Sequence, residues 1–269
     1  MVNLQLRWSL LSNTASKLYV YLPISDGNQQ IKSIELSSKP SELFKDKYYS
    51  YAKYQTDGNF SVSADIQAKV RGIDKYRDIN DKRFLAKEPI LMMGKTKKFT
   101  KGLSSAREVY DWIQKNIGFP PKLDHYLVDL MIDDWEDLND AIENRKAMCG
   151  GKSRLFVSMC RNIGIPARSV TGYFMKDGWT WLRNAKFHKN WMDLHVWAEF
   201  YKDGWWIPVD CNIAQQMKKD YFGKFPEKCK RIAISKGSYF LVDGKVRHSL
   251  QTAHFDRGKN LKVSLKSNS

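Results

Sequence analysis

Three side chains have the types and local settings that thiol acyl-transfer chemistry requires: Cys149, His195 and Asp210. Cys149 is followed by Gly150 and Gly151 at the expected start of a helix. His195 opens the apolar run His195-Val-Trp-Ala-Glu-Phe-Tyr201, and Asp210 closes the next run, Trp205-Trp-Ile-Pro-Val-Asp210. In chain order they are candidate nucleophile, base and orienting carboxylate. A thiol attacks as its thiolate, and the free amides of a helix N-terminus, with an imidazolium nearby, lower its pKa by one to several units from about 8.5. Two glycines beside it leave a substrate room to approach, and backbone amides there suit an oxyanion. Their cost in helix stability implies a reason for their presence.

The elements that must bring these residues together can be counted out. Asp203-Gly204 is a two-residue hairpin signal. A turn there pairs residues whose numbers sum to 407 and sets Asp210 opposite Trp197, two residues from His195. A turn at Lys202-Asp203 makes the sum 405 and sets Asp210 directly opposite His195. Side chains alternate with period two, so both registers leave His195 and Asp210 on one face. Counting does not place Cys149, which depends on the fold.

Other candidates have plainer readings. Cys160 lies on the apolar face of its helix, and Cys211 is expected to point away from Asp210 and His195. His125, His188, His248 and His254 lack comparable surroundings. Gly151-Lys152-Ser153 looks like the end of a phosphate-binding loop, but the first glycine of that motif falls at Lys146 and no strand leads into it. Zinc ligation fails for want of Cys-x-x-Cys or His-x-x-x-His spacing. No metal and no cofactor is expected.

With 269 residues, 42% of them hydrophobic, the chain can fill a sizeable core. Met1 to Ser12 holds one basic residue and no apolar run of signal-peptide length, and nowhere do about 18 apolar residues stand together. Four cysteines over this length are no disulfide framework, so a reducing, cytoplasmic setting is expected. The net charge is +16, with 18 Lys and Arg against 10 Asp and Glu over 1–104, 14 against 15 over 105–212, and 13 against 4 over 213–269. The excess flanks the segment that carries the three residues. Such flanks suit weak electrostatic binding to acidic partners, although scattered solvated lysines are the plainer account. No nucleic-acid motif accompanies them.

Residues 1–72 read as short extended runs, such as Leu18–Leu22 and Ser61–Ile66, with turn signals at Asp26-Gly27-Asn28 and Asp57-Gly58-Asn59. This is an all-β N-terminal unit. Residues 73–104 are charged and irregular and read as a connector. A helix is predicted after Ser105, which has capping-box spacing to Glu108, with Val109, Trp112, Ile113 and Ile117 on one face. The acidic stretch Asp133–Asp137 reads as a solvated helix start. The next helix begins near Cys149 and stops at Gly164. Strands are predicted at Ser169–Phe174, His195–Tyr201 and Trp205–Asp210, then at Arg231–Ser235, Tyr239–Val242 and Leu261–Leu265. Residues 105–269 thus form a third unit with a basic, β-rich C-terminal extension.

Ala147-Met-Cys-Gly-Gly151, Arg161-Asn-Ile-Gly-Ile-Pro-Ala-Arg-Ser-Val-Thr-Gly172, His195-Val-Trp-Ala-Glu-Phe-Tyr201 and Gly204-Trp-Trp-Ile-Pro-Val-Asp210 together resemble the core of the transglutaminase-like superfamily, over roughly residues 105–212. The resemblance implies an α+β, papain-like core with helices packed on an antiparallel sheet. It puts Cys149, His195 and Asp210 on the family's triad positions. The all-β unit in front resembles the sandwich-like modules that often precede this core. The family holds crosslinking enzymes, cysteine peptidases, peptide N-glycanases and members without activity. The residue completing an oxyanion hole is not identifiable, and Trp112 and Trp135 are explained by packing as readily. The expectation is a thiol enzyme acting on amide bonds of peptides or proteins through an acyl-Cys149 intermediate, with hydrolysis favoured. Two alternatives stand beside it: a transglutaminase using a lysine amine as acceptor, and a non-catalytic scaffold that binds acidic partners. Trp179, Trp181, Trp191, Trp197, Trp205 and Trp206 are candidates for an apolar tunnel, although packing is the plainer account of most of them.

Overall fold

The computed structural model describes residues 2–72, 74–120, 135–176, 191–225, 229–248, 250, 253–255 and 262–268. The front of the chain forms one sheet around two long strands, β1 (Val2–Leu22) and β4 (Ser50–Val70), paired antiparallel from Val2↔Val70 to Leu22↔Ser50. The far edge of β4 carries β2 (Gln29–Leu36) and β3 (Glu42–Lys45). The turn expected at Asp26-Gly27-Asn28 is formed, with Asp26 Oδ1 accepting from the amides of Asn28 (2.6 Å) and Gln29 (2.8 Å). The turn expected at Asp57-Gly58-Asn59 is not. Those residues lie inside β4, opposite Ala15, Thr14 and Asn13. A partner strand of equal length supplies ladder hydrogen bonds through the stretch and overrides the local preference.

After β4 the chain makes two 3-10 turns, Lys82–Leu85 and Pro89–Leu91, then the short helix α1 (Met93–Thr96) and a further 3-10 turn, Lys97–Phe99. Ile90, Leu91, Met93 and Phe99 from this charged stretch enter the helical core. Next comes α2 (Ala106–Asn116), whose predicted capping box is present: Ser105 Oγ accepts from the Glu108 amide at 3.2 Å, and Glu108 Oε2 accepts from the Ser105 amide at 3.0 Å. Val109 and Ile113 are buried on its inner face. Then follow α3 (Trp135–Glu143) and α4 (Cys149–Asn162). Asp133 and Asp134 of the acidic stretch lie outside the described residues.

Helix α4 is the centre of the core. Helical spacing predicts one apolar side, with Leu155, Phe156, Met159, Cys160 and Ile163; the helix is instead buried all round, from Gly150 to Arg161. Its polar residues are accommodated by specific partners. Ser158 Oγ meets Thr96 Oγ at 2.6 Å, and Arg161 donates to the carbonyls of Ala167 and Ala86 and to Glu88.

A four-stranded antiparallel sheet packs on α4 in the order β7-β6-β5-β8, formed by β5 (Ala167–Lys176), β6 (Trp191–Lys202), β7 (Trp205–Val209) and β8 (Cys229–Lys236). The β6–β7 hairpin turns at Asp203 (φ 51°) and Gly204 (φ 84°), the left-handed pair that a two-residue turn needs. Its register runs from Lys202↔Trp205 to Ala198↔Val209, the alternative summing to 407. A short helix, α5 (Cys211–Met217), leaves the end of β7.

The remaining strands fold back. β9 (Phe240–Val242) and β10 (Lys245–Arg247) form a hairpin, and β11 (Ala253–Phe255) and β12 (Lys262–Asn268) pair with the free edge of β1. The front unit is therefore one sheet, and its second layer comes from later in the chain: Tyr173, Ile232, Ile234, Phe240 and Val242 pack on the tyrosine-rich face of β1 and β4. The Gln29 side chain joins the layers, exchanging hydrogen bonds with the backbone of Ala233 at 2.9 and 2.7 Å.

Candidate active site

Cys149 and Asp210 stand at element ends, and His195 lies within a strand. Cys149 is the first residue of α4, and the side chain of Met148 before it makes no capping hydrogen bond. The first-turn amides of a helix have no acceptor within it, so this end carries partial positive charge. The thiol is partly exposed. His195 lies in β6 opposite Gly172 of β5 and is 8% exposed.

Asp210 follows the last residue of β7 and is the N-cap of α5, 1% exposed. Its Oδ1 accepts from the amides of Asn212 (3.1 Å) and Ile213 (2.9 Å), and its Oδ2 lies 2.6 Å from His195 Nε2. A carboxylate only accepts, so Nε2 carries the proton in that bond and Nδ1 is left for the thiol. The Cys149 sulfur is near enough to the imidazole to act on its protonation. The structure thus brings all three predicted residues together.

Electrostatics follow from this arrangement. Burial by itself lowers the pKa of the His195 ring, but the Asp210 carboxylate, its hydrogen bond and the Cys149 sulfur override burial and hold the ring well above its ordinary value. The other thiols behave oppositely: burial pushes Cys160 well up, and burial with the nearby Asp210 charge pushes Cys211 up. Both lie in the helical core, as expected for Cys160.

Around the imidazole, Trp197 stacks at 6.5 Å between centroids with 21° between planes, and Phe174 lies at 5.4 Å. Gly172 makes room for this packing. A Cβ there would stand 2.1 Å from the Ile232 carbonyl oxygen and 2.9 Å from the Trp197 ring. Trp197 Nε1 donates to Glu199 at 3.3 Å, and Arg231 lies over the Phe225 ring at 3.2 Å. Burial lowers Arg231 to about 10, against the pull of Glu199 and other acidic groups.

The tryptophans do not share one feature. Trp112 stacks on Phe99 at 5.0 Å, Trp206 is buried in the front core, and Trp205 lies beneath Lys75 and Arg77. Trp179 and Trp181 lie outside the described residues, as do His125, His188 and the side chains of Trp135 and Trp191. An open depression of about 390 Å³ between α2 and α5, lined by Arg107, Gln114, Gln215 and Asp220, includes none of the three site residues. Among the described residues no group of three or more His, Cys, Asp or Glu side chains is placed to hold a metal, and no helix is long and apolar enough to cross a membrane.

Two features escaped sequence reasoning. One is α5, which turns Asp210 from the end of a strand into a helix cap; its signal was an Asp ahead of Cys-Asn-Ile-Ala, since aspartate is a favoured N-cap. The other is the use of Lys152 and Ser153. Lys152 Nζ donates to Gln215 Oε1 at 2.5 Å, and Ser153 Oγ donates to the Val196 carbonyl at 3.1 Å. These partners are distant in sequence and no local pattern announces them.

No curated protein sequence matches the chain. Among solved structures the chain resembles a "Putative Cysteine Protease" from Cytophaga hutchinsonii, with a TM-score of 0.64 at 16% identity, over 99% of this chain and 91% of that one. A looser likeness, TM-score 0.39 at 12% identity over 80% of this chain and 71% of the other, is to the periplasmic domain of TgpA from Pseudomonas aeruginosa. The family model of the transglutaminase-like superfamily matches residues 91–211. Cys149, His195 and Asp210 all fall within the segment that this superfamily model matches.

Proposed function

We propose that the protein is a thiol enzyme that cleaves amide bonds of peptides or proteins through an acyl-Cys149 intermediate and passes the acyl group to water. The supporting observation is the His195–Asp210 hydrogen bond, with the carboxylate fixed by the first amides of α5 and the Cys149 sulfur near enough to act on the imidazole. In this reading His195 takes the thiol proton and the sulfur attacks the amide carbon. The oxyanion meets backbone amides at the N-terminus of α4, and the imidazolium gives its proton to the departing amine. Water, deprotonated by the same ring, then releases the acid and restores the thiol. Asp210 holds the Nε2–H tautomer throughout. Hydrolysis is favoured over transfer to an amine because the sulfur is partly exposed and water is always at hand.

The test is turnover of peptide and glutamine-donor libraries by the unaltered protein and by Cys149→Ala. The expected result is release of free acid by the unaltered protein, a mass increase of one acyl group on Cys149 under rapid quench, and loss of both in the variant. Isopeptide products with a lysine acceptor would favour the transglutaminase. Equal turnover by both proteins, or none by either, would remove the thiol mechanism.

A further inference from the structure

Two consecutive residues in the first turn of α4 each make a tie to a different element of the site. Lys152, with no exposed surface, reaches α5: its Nζ donates to Gln215 Oε1 at 2.5 Å and lies 3.5 Å from the centroid of the Phe119 ring. Gln215 is itself fixed, its Nε2 donating to the carbonyls of Gln114 (3.0 Å) and Ile117 (2.6 Å) at the end of α2. Ser153, 3% exposed, reaches β6: its hydroxyl donates to the carbonyl of Val196, the residue after His195.

The helix that begins with Cys149 is thereby bound to the helix that Asp210 caps and to the strand that carries His195. The Lys152 charge is also felt at the start of α5, where it acts on Cys211 beside Asp210. Neither tie is needed to make a helix or a strand. A buried lysine and a buried serine hydroxyl both cost free energy unless their bonds are made, so the two residues favour the one arrangement of α4, α5 and β6 in which both are satisfied. Reacting geometries tolerate little error: a displacement of about 1 Å costs on the order of a hundredfold in rate.

We propose that Lys152 and Ser153 are positioning residues, which set the distance of the Cys149 sulfur from the His195 ring by tying the first turn of α4 to the Asp210 helix and to the His195 strand. This rests on the thiol reading given above. Neither residue touches substrate; each acts through the thiol–imidazole contact.

The experiment is the pH profile of Cys149 alkylation by iodoacetamide in the full chain, compared among the unaltered protein, Ser153→Ala, Ser153→Thr and Lys152→Met, with urea unfolding measured on each. The unaltered protein should be alkylated rapidly at Cys149 near neutral pH. Ser153→Ala and Lys152→Met should each be alkylated about tenfold more slowly at that pH, as a loosened thiol–imidazole contact requires. Ser153→Thr, which keeps the hydroxyl, should return to within about twofold of the unaltered rate, whatever its effect on unfolding. A merely structural role would change the unfolding midpoint and leave the profile of the folded protein where it was. If one variant fails to fold, the other carries the same expectation independently. An activated Cys149 whose profile is unmoved in the folded variants overturns the positioning role alone. A Cys149 of ordinary reactivity in the unaltered protein overturns the functional reading and this proposal together.

Discussion

Asp210 performs two tasks with its two oxygens, and substitution separates them. Oδ1 caps α5, while Oδ2 faces the imidazole. Asparagine caps a helix about as well as aspartate, so Asp210→Asn should retain the helix yet lose the negative charge that fixes the ring. Turnover is expected to fall by about 10³–10⁴. Asp210→Ala should fall as far and lose about 1 kcal/mol more stability through the missing cap; equal urea midpoints for the two variants would contradict the capping role. The imidazole also makes stability depend on pH. A histidine held above its unfolded value contributes stability fully below about pH 6.5 and loses it as pH rises through the folded value. In the unaltered protein the unfolding free energy should therefore decline as pH rises above about 6.5 toward the folded value, and this decline should flatten in Asp210→Asn. A matching decline in the variant would show that some other group titrates there.

At the scale of elements, the site depends on how closely β5 and β6 approach β8 and the Trp197 ring. Gly172→Ala places a methyl against the Ile232 carbonyl, which is backbone and yields little. A loss of about 1–3 kcal/mol is expected from such overpacking, measured by urea unfolding; an unchanged midpoint would mean that the strands part easily. Much at this scale was readable from residues alone. The capping box at Ser105 and Glu108, the helix from Cys149 and the Asp203-Gly204 turn are local signals, and each element formed where its signal stood. What failed was local too. Asp57-Gly58-Asn59 is a turn by composition and strand by pairing, because β1 runs the full length of β4. Helical spacing marked only the apolar side of α4, because the partners that bury its polar residues, such as Thr96, Glu88 and Gln215, come from other stretches of chain.

For the whole molecule, the front sheet and the core are joined by buried charges. Lys236 meets Asp26 at 2.7 Å and Asp78 at 2.6 Å, Arg168 meets Asp78 and Glu199 at 3.0 Å each, and Tyr76 donates to Glu199. Asp26 comes from the front turn, Tyr76 and Asp78 from the following stretch, and the rest from β5, β6 and β8. Composition reports such residues as charge and says nothing of their pairing. It is equally silent on β12, which crosses back to β1 and puts the end of the chain beside its beginning. The division at 72 and 104 remains a proposal about folding units, since core residues from all three stretches interleave. Burial opposes the ionised form of Glu199 and Asp78, but Arg168 and Lys236 prevail and hold both below their ordinary range. Their stabilising effect is present above the ordinary carboxyl values, 4.5 and 3.8, and is lost as pH falls through the lowered folded values. Glu199→Gln should cost about 3–5 kcal/mol near neutral pH and much less in acid; a cost independent of pH would argue against the ion pair as its source. The most direct measurement for the account as a whole remains the thiol itself. Brief iodoacetamide treatment near neutral pH, read by mass spectrometry of peptides, should modify Cys149 at least about a hundredfold faster than Cys160 and Cys211. Equal labelling of the three in the folded protein would contradict an activated nucleophile at residue 149.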